Sequence, residues 1–558
     1  MQIQSTINAR PGRRRKAARP PWRLGALAMA LCTAPAAMAM EFDMGGGDTK
    51  LRWDNTFKYS TMRRLKSQDP KLVAPANLDD GDRSFNKGIV SNRVDWLTEF
   101  DASYKDVGLR VSAAAWYDSV YNNRNDNTSA ATWNALSVPF NQFPGATREI
   151  HGRKIELLDA FVFGRTEFAN GMAGSFRVGR FAQTWGESLF FGDNGIAGGL
   201  APLDIIKLVT VPGSQFKEIL RPVEQVSGQL ELNPSLSVAA YVQARSPMIR
   251  LPEAGSYFSG GDVLLNAGER LIVGAPMAPG GGPAAFFRGQ DQKAKRSGQW
   301  GTQLRFRPEG GEIDYGLYAI RYNAKAPVTY LRAGNGFNAA TGQVGDFIFT
   351  YPEGIKAFGA SATTTLGGIN YAAEVSVRRN MPLANPGVST SNLSDNRYSP
   401  AYPVGKTAHA QASMIAVNGP AAFWRSSSLL AEVAWNRRTS ITKNAAALDP
   451  SADRDAAAMR MIFTTNYFNV LVDGLDVSVP IGLGYNISGN SSVTGWAAKT
   501  GDLSIGINGV YRQAWRFGLN WTHYLGPAGP YFNASNTLGY KQYLKDRDFV
   551  SFNLQRSF

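Results

Sequence analysis

Apolar and polar residues alternate along most of this chain beyond residue 50. Leu51, Trp53, Phe57 and Tyr59 alternate with Arg52, Asp54, Thr56 and Lys58. Val226, Gly228, Leu230 and Leu232 alternate with Gln225, Ser227, Gln229 and Glu231. Trp515, Phe517, Leu519 and Trp521 alternate with Arg516, Gly518, Asn520 and Thr522. A period of two marks β-strands with one apolar face. Eighteen stretches read this way, near 51–59, 93–104, 107–117, 155–166, 174–183, 223–232, 235–245, 298–307, 312–322, 355–366, 368–379, 409–417, 426–437, 457–467, 473–487, 500–511, 513–525 and 547–558. The stretches at 155–166 and 409–417 are the least regular, so sixteen strands is the alternative count.

These strands are long. A globular strand runs ~5–6 residues, whereas a tilted transmembrane strand needs ~9–11. Aromatic residues sit at the ends of the apolar faces, where interfacial girdles belong, and the connections alternate short and long. The pattern predicts an all-β fold, a transmembrane antiparallel β-barrel. Closure follows from hydrogen bonding, because an open strand edge cannot face hydrocarbon. The last strand carries Val550, Phe552, Leu554 and the final residue Phe558 at alternate positions, interrupted by Arg556. Phe558 is the expected barrel-assembly signal, which makes the assembly machinery a partner, with outer-membrane lipid and lipopolysaccharide around the wall. Inward positions include Arg93, Asp95, Glu99, Arg110, Glu231, Arg305, Arg307, Asp314, Glu374, Arg378, Glu432 and Asp476. Their mixed signs do not make a simple anion or cation filter.

One stretch between two strands breaks the alternation. Residues 184–222, TWGESLFFGDNGIAGGLAPLDIIKLVTVPGSQFKEILRP, are rich in glycine yet carry an apolar patch from Leu203 to Val211. A loop in free solvent has little reason to hold so many apolar side chains. The expectation is a long loop folded into the lumen. Trp185, Phe190 and Phe191 are the candidate contacts to an apolar solute. Glu187, Asp193, Lys207, Lys217, Glu218 and Arg221 would tie the loop to the wall or meet a polar head. Together these nine form the candidate substrate path or gate.

The first 39 residues change the charge reading. A basic region (Arg13, Arg14, Arg15, Lys16, Arg19 and Arg23) precedes an apolar run from Leu24 to Leu31, then Ala37-Met38-Ala39. That is a signal peptide, 1–39, cleaved after Ala39; residues 40–558 are the barrel. Removing seven Arg/Lys from a net +15 leaves +8, so the basic balance is mostly targeting and no nucleic-acid partner is expected. The single cysteine, Cys32, leaves with the signal, and the mature chain has no thiol chemistry.

No catalytic pattern emerges. The three histidines are His151, His409 and His523, the first two in or beside loops and the third at the lipid interface, and none has a serine at useful spacing. No GxSxG, HExxH or phosphate loop is present. The chain reads as not an enzyme and without cofactors. The acidic run 77–82 offers three carboxylates in four positions but lacks the twelve-residue calcium loop, so it reads as a solvated acidic turn with no metal site. Residues 271–290 read as a flexible outer loop.

The segments NLDDGDRSFNKGIVSNR (77–93), AAWYDSVYN (114–122), TWGESLFFGDNGIAGGLAPLDIIKLVTVPGSQFKEI (184–219) and RPVEQVSGQLEL (221–232) resemble the domain-of-unknown-function 1302 family of proteobacterial outer-membrane proteins. The resemblance implies an exported barrel in the cell outer membrane. It also implies handling of hydrophobic molecules, because members accompany genes for lipid-type exporters and for degradation of hydrophobic compounds. It assigns no residue a role. The expected function is an outer-membrane channel or transporter for a hydrophobic or amphipathic small molecule. The alternatives are a structural or assembly component of an envelope export system, with an export partner, or a surface adhesin; an outer-membrane lipid hydrolase at His523 comes last.

Overall fold

The computed structural model describes residues 40–43, 48–169, 171–391, 396 and 398–558. The expected signal peptide and its cleavage site lie outside the described residues. Eighteen strands form the wall. They are β1 Thr49–Arg64, β2 Gly88–Tyr104, β3 Val107–Asp118, β4 Arg153–Glu167, β5 Ala173–Phe181 and β6 Val223–Asn233. There follow β7 Leu236–Gln243, β8 Gln299–Phe306, β9 Asp314–Tyr322, β10 Ile355–Leu366, β11 Ile369–Pro382 and β12 Val404–Asn418. The wall ends with β13 Ser426–Lys443, β14 Asp455–Tyr467, β15 Leu475–Ser488, β16 Gly501–Tyr511, β17 Trp515–Leu525 and β18 Phe549–Ser557. Each pairs antiparallel with its neighbours in chain order. β18 pairs with β1, Thr56 opposite Ser557, which closes the sheet. The count is eighteen, because the two irregular stretches are real strands, β4 and β12. A short strand, Met40–Asp43, adds to β1.

The period of two sorts the wall as expected. Leu109, Val226, Val375, Ile481 and Leu519 face outward and are exposed, with Trp53, Trp96, Tyr104 and Trp300 among the exposed aromatics. An outward apolar band with aromatic ends is what lipid would cover. Among the described residues no helix is long and apolar enough to cross a membrane. One end of the barrel has tight turns. Between β10 and β11, Gly367 and Gly368 both take positive φ (57° and 79°), as a two-residue primed turn requires. The backbone of Phe558 pairs with Asn55 in both directions, and its ring stacks on Phe57 at 5.7 Å, so the last residue sits in the closing seam.

The other end carries the long connections, and here three expectations change. Residues 271–290 are not a flexible loop. Arg270–Pro276 and Pro283–Arg288 join Val328–Asn338, Gln343–Thr350 and Val388–Ser389 in a five-stranded outer sheet. Phe286 packs there on Phe347, Phe349 and Tyr351, so the apolar side chains of the loop have a core of their own. The run 77–82 is not solvated. Asp79, Asp80 and Asp82 are buried, and Asp79, Asp80 and Asp262 bring carboxylate oxygens within 4.8 Å of one another. Arg64 of β1 pairs with Asp82 at 2.7 Å and with Asp546 at 2.9 Å, which pulls two outer loops over the barrel mouth. Finally, His409, expected at the loop-side end of its strand, sits well inside β12 and is buried, because the strand starts five residues earlier, at Val404.

Candidate functional site

The loop 184–222 starts at the outer end of β5 and runs inside the barrel. Its first half is held by two wall carboxylates that point inward. Glu374 of β11 accepts hydrogen bonds from the backbone N–H of Glu187 at 2.8 Å and of Ile196 at 2.6 Å. Glu432 of β13 accepts from the N–H groups of Leu189 at 3.2 Å, Phe190 and Phe191 at 2.9 Å, and from Ser188 Oγ at 3.4 Å. Arg378 of β11 donates to the carbonyls of Asp193 at 3.0 Å, Asn194 at 2.6 Å and Gly195 at 2.9 Å. A loop that enters a lumen brings its backbone N–H and C=O groups with it, and each must find a partner. Here charged wall residues supply the partners, and bonds to charged groups contribute about 1.5–3 kcal/mol each.

Asn194 extends this contact. Its Oδ1 lies 3.0 Å from His409 Nδ1, and its Nδ2 donates to Gln411 Oε1 at 3.3 Å. Gly186 takes φ +91°, and a side chain there would run into Glu374, so glycine is needed for the close approach. Apolar side chains seal the same face. Trp185 meets Tyr241 edge-on at 5.0 Å, in a buried cluster with Ile196, Leu200, Tyr318, Ile320, Tyr322 and Ile355.

The second half of the loop leans on the opposite wall. Asp204 caps the short helix Ile205–Thr210 by accepting from the Lys207 N–H at 3.0 Å. Arg250, from an outer loop, reaches down to Asp204 at 2.6 Å and to Glu156 of β4. Lys207 Nζ lies 4.0 Å from Glu156 and over the Trp116 ring. Lys217 pairs with Glu99 of β2, and Glu218 with Lys58 of β1 at 3.5 Å. Above this half, a cavity of about 10 Å³ lined by Arg93, Asp118, Tyr121, His151 and Thr210 has room for about one water.

The nine residues expected to form a path or gate therefore fall into two sets. Trp185, Glu187, Phe190, Phe191 and Asp193 lie against β7–β13, with Phe191 also reaching the outer end of β14. Lys207, Lys217, Glu218 and Arg221 lie against β1–β4 and the outer loop that carries Met248, whose carbonyl takes a bond from Arg221. Trp185 is buried, and Phe191 packs edge-on against Trp496 at 5.3 Å. Glu187 pairs with Arg305 at 3.0 Å. By position these residues fasten the loop.

Next to the fastened sector the cover thins: Phe191 and Trp496 still bury Ala456 and Ala458 at the outer end of β14, and beyond them the wall opens. Glu432 is directly opposite Arg460 of β14 in the ladder. Glu432 is 2% exposed, while the Arg460 side chain is 35% exposed. Arg460 forms two parallel bonds to Asp502 of β16, at 3.1 and 3.2 Å. Among the described residues no hydrogen bond or ion pair joins 184–222 to β15, β16 or β17. The sequence reading missed this sector. Inward glycines, Gly482, Gly484, Gly506 and Gly518, mark these strands, but Gly301, Gly316 and Gly359 of β8–β10 face inward too, so glycine alone does not single the sector out.

His523 faces outward beside Trp521, as expected, and its Nδ1 lies 2.5 Å from Asp548, which also pairs with Lys66 at 2.8 Å. Among the described residues no hydroxyl group bonds to His523.

A family model described as "Protein of unknown function (DUF1302)" matches residues 21–558. No curated protein matches the chain. Among solved structures, the chain is similar to the outer membrane channel DcaP of Acinetobacter baumannii (10% identity, TM-score 0.37), with 93% of this chain and 100% of that one covered. It is similar to Acinetobacter baumannii OccAB4 at 9% identity and TM-score 0.41, covering 92% and 98%. It is also similar to Pseudomonas aeruginosa OccK9 at 8% identity and TM-score 0.42, covering 91% and 97%. No residue correspondence follows from likenesses at this level.

Proposed function

The chain belongs to the DUF1302 family, and we propose that it is an outer-membrane channel for small amphipathic or hydrophobic solutes, with 184–222 as a fixed internal constriction. One observation carries the reading: a closed barrel holds an internal loop on wall carboxylates, and the loop covers only part of the lumen face. A structural shell has no need of an inner loop fastened at this depth. The outward apolar band supports placement in a membrane, and a closed β-barrel supports the outer membrane. Lipid and lipopolysaccharide would surround it. The assembly machinery would read Phe558 in the closing seam.

The lumen favours an amphipathic solute over a purely apolar one. Inward charges occur in opposite pairs, such as Arg110 with Glu99 and Asp101, and Arg307 with Asp314. Phe161 and Phe163 lie among them, 6.0 Å apart. The test is single-channel conductance of the refolded barrel in planar bilayers, with and without residues 195–212. A steady current that rises on deletion supports a conducting barrel with an internal constriction. A folded barrel that stays silent in both forms overturns the reading.

A further inference from the structure

If the loop is fixed, a solute must go round it, and the wall tells where. Four inward positions of β15–β17 carry no side chain: Gly482, Gly484, Gly506 and Gly518. Asn520 lies over Gly506, and Asn508 over Gly518, so their amides form the lumen surface there. Both asparagines are half-buried, and Arg460 and Asp502 lie further towards the outer end of the same wall, with side chains 35% and 26% exposed. The sealed sector also has inward glycines, Gly301, Gly316 and Gly359, but there the loop and neighbouring rings fill the space, Ile196 over Gly359 and Tyr241 over Gly301; Glu374 is 3% exposed and Ile355 is fully buried, while Arg305 stays open at 44%.

We propose that solute passes the loop along β14–β17, and that Arg460, Asp502, Asn508 and Asn520 are the side chains that contact and select it. This rests on the channel reading above. The contact set has a guanidinium fork, a carboxylate and two amides. Its net charge is zero, and it offers donors and acceptors in succession along one strip of wall. It suits a small amphipathic molecule whose polar end is uncharged and both donates and accepts hydrogen bonds, such as an alcohol or an amide. A charged head would have to break the Arg460–Asp502 pair.

The test uses the full chain with Cys32→Ser, which removes its only cysteine. Folding is checked by heat-modifiable migration on gels. Asn508→Cys and Asn520→Cys should react with a charged methanethiosulfonate reagent, and labelling should cut the KCl current by half or more. Ser376→Cys, inward on β11 but buried, should stay unlabelled. In a KCl gradient the unsubstituted protein should discriminate little between the two ions. Asp502→Asn should shift the permeability ratio several-fold towards chloride, and Arg460→Gln several-fold towards potassium. A current untouched by labels at 508 and 520, or a ratio unmoved by both charge changes, overturns the route while leaving the channel standing. A folded barrel with no current at all overturns the channel reading and the route with it.

Discussion

Two sectors of one wall, β8–β13 and β14–β17, obey the same alternation and end up different. In the first, Glu374, Arg378 and Glu432 are spent on a loop backbone, and Tyr318, Ile320 and Ile355 pack under Trp185 and Ile196. In the second, Arg460 and Asp502 pair with each other and stay exposed to the lumen. The boundary falls between two directly opposed residues, Glu432 and Arg460. The lesson concerns charge inside a barrel. A buried carboxylate is tolerated when several N–H groups converge on it, and that arrangement fixes a segment. An inward pair that water can reach fixes nothing and remains available to a solute.

The largest effect that would break the contrast is loss of the fastening carboxylates. Glu432→Ala leaves three loop N–H groups without an acceptor, at a cost of about 1–3 kcal/mol each. Combined with Glu374→Ala, it should free 184–196. Protease sensitivity at that segment and a several-fold rise in conductance would check this. Bulk sharpens the contrast next. Ala357→Phe, in the sealed sector, should cost about 1–3 kcal/mol of barrel stability in urea unfolding with little change in current. Ser504→Phe, inward on β16, should do the reverse and roughly halve conductance, because an aromatic side chain adds bulk to open lumen.

The smallest effect lies outside the membrane. Burial, with the nearby Asp79 charge, pushes the Asp262 carboxyl up to about 8; burial, together with Asp262, also raises Asp80. The unfolded value is ~3.9, so the closed loops hold protons that opened loops release. Their stabilisation is full below ~4 and is lost as pH rises towards about 8. Hydrogen-exchange protection at residues 77–87, after correction for the intrinsic pH dependence of exchange, should therefore be higher at pH 5 than at pH 8, with protection in the current-carrying sector unchanged.

How much of this the sequence discloses depends on range. The wall is local information: a period of two survives in each strand, so the strand count and the outward rows were legible, down to Trp515–Trp521. The inward loop was legible from its apolar residues, which need cover. Which side chains fasten and which remain free was not, because that depends on partners far away in the chain. Ile196 meets Glu374 across 178 positions and Asn194 meets His409 across 215. The aromatic residues of the loop thus read as solute contacts, whereas Trp185 is packed against the wall. Arg460 and Asp502 gave no signal of their own, since pairs of inward charges occur all round this barrel. The outer sheet was missed for another reason: Gly and Pro between 274 and 283 hide a hairpin whose core lies in other loops.

The central claim is that 184–222 is fixed and that the passage lies beside it. A Cβ placed on Gly359 of β10 would lie 2.8 Å from Ile196 Cγ1, close enough for a disulfide between cysteines at the two positions. The measurement is single-channel conductance of Ile196→Cys with Gly359→Cys, in the Cys32→Ser background, oxidised and then reduced. A fixed loop predicts the same steady current in both states. A current that appears only on reduction would mean that the loop must swing away to open the barrel, and would contradict the account.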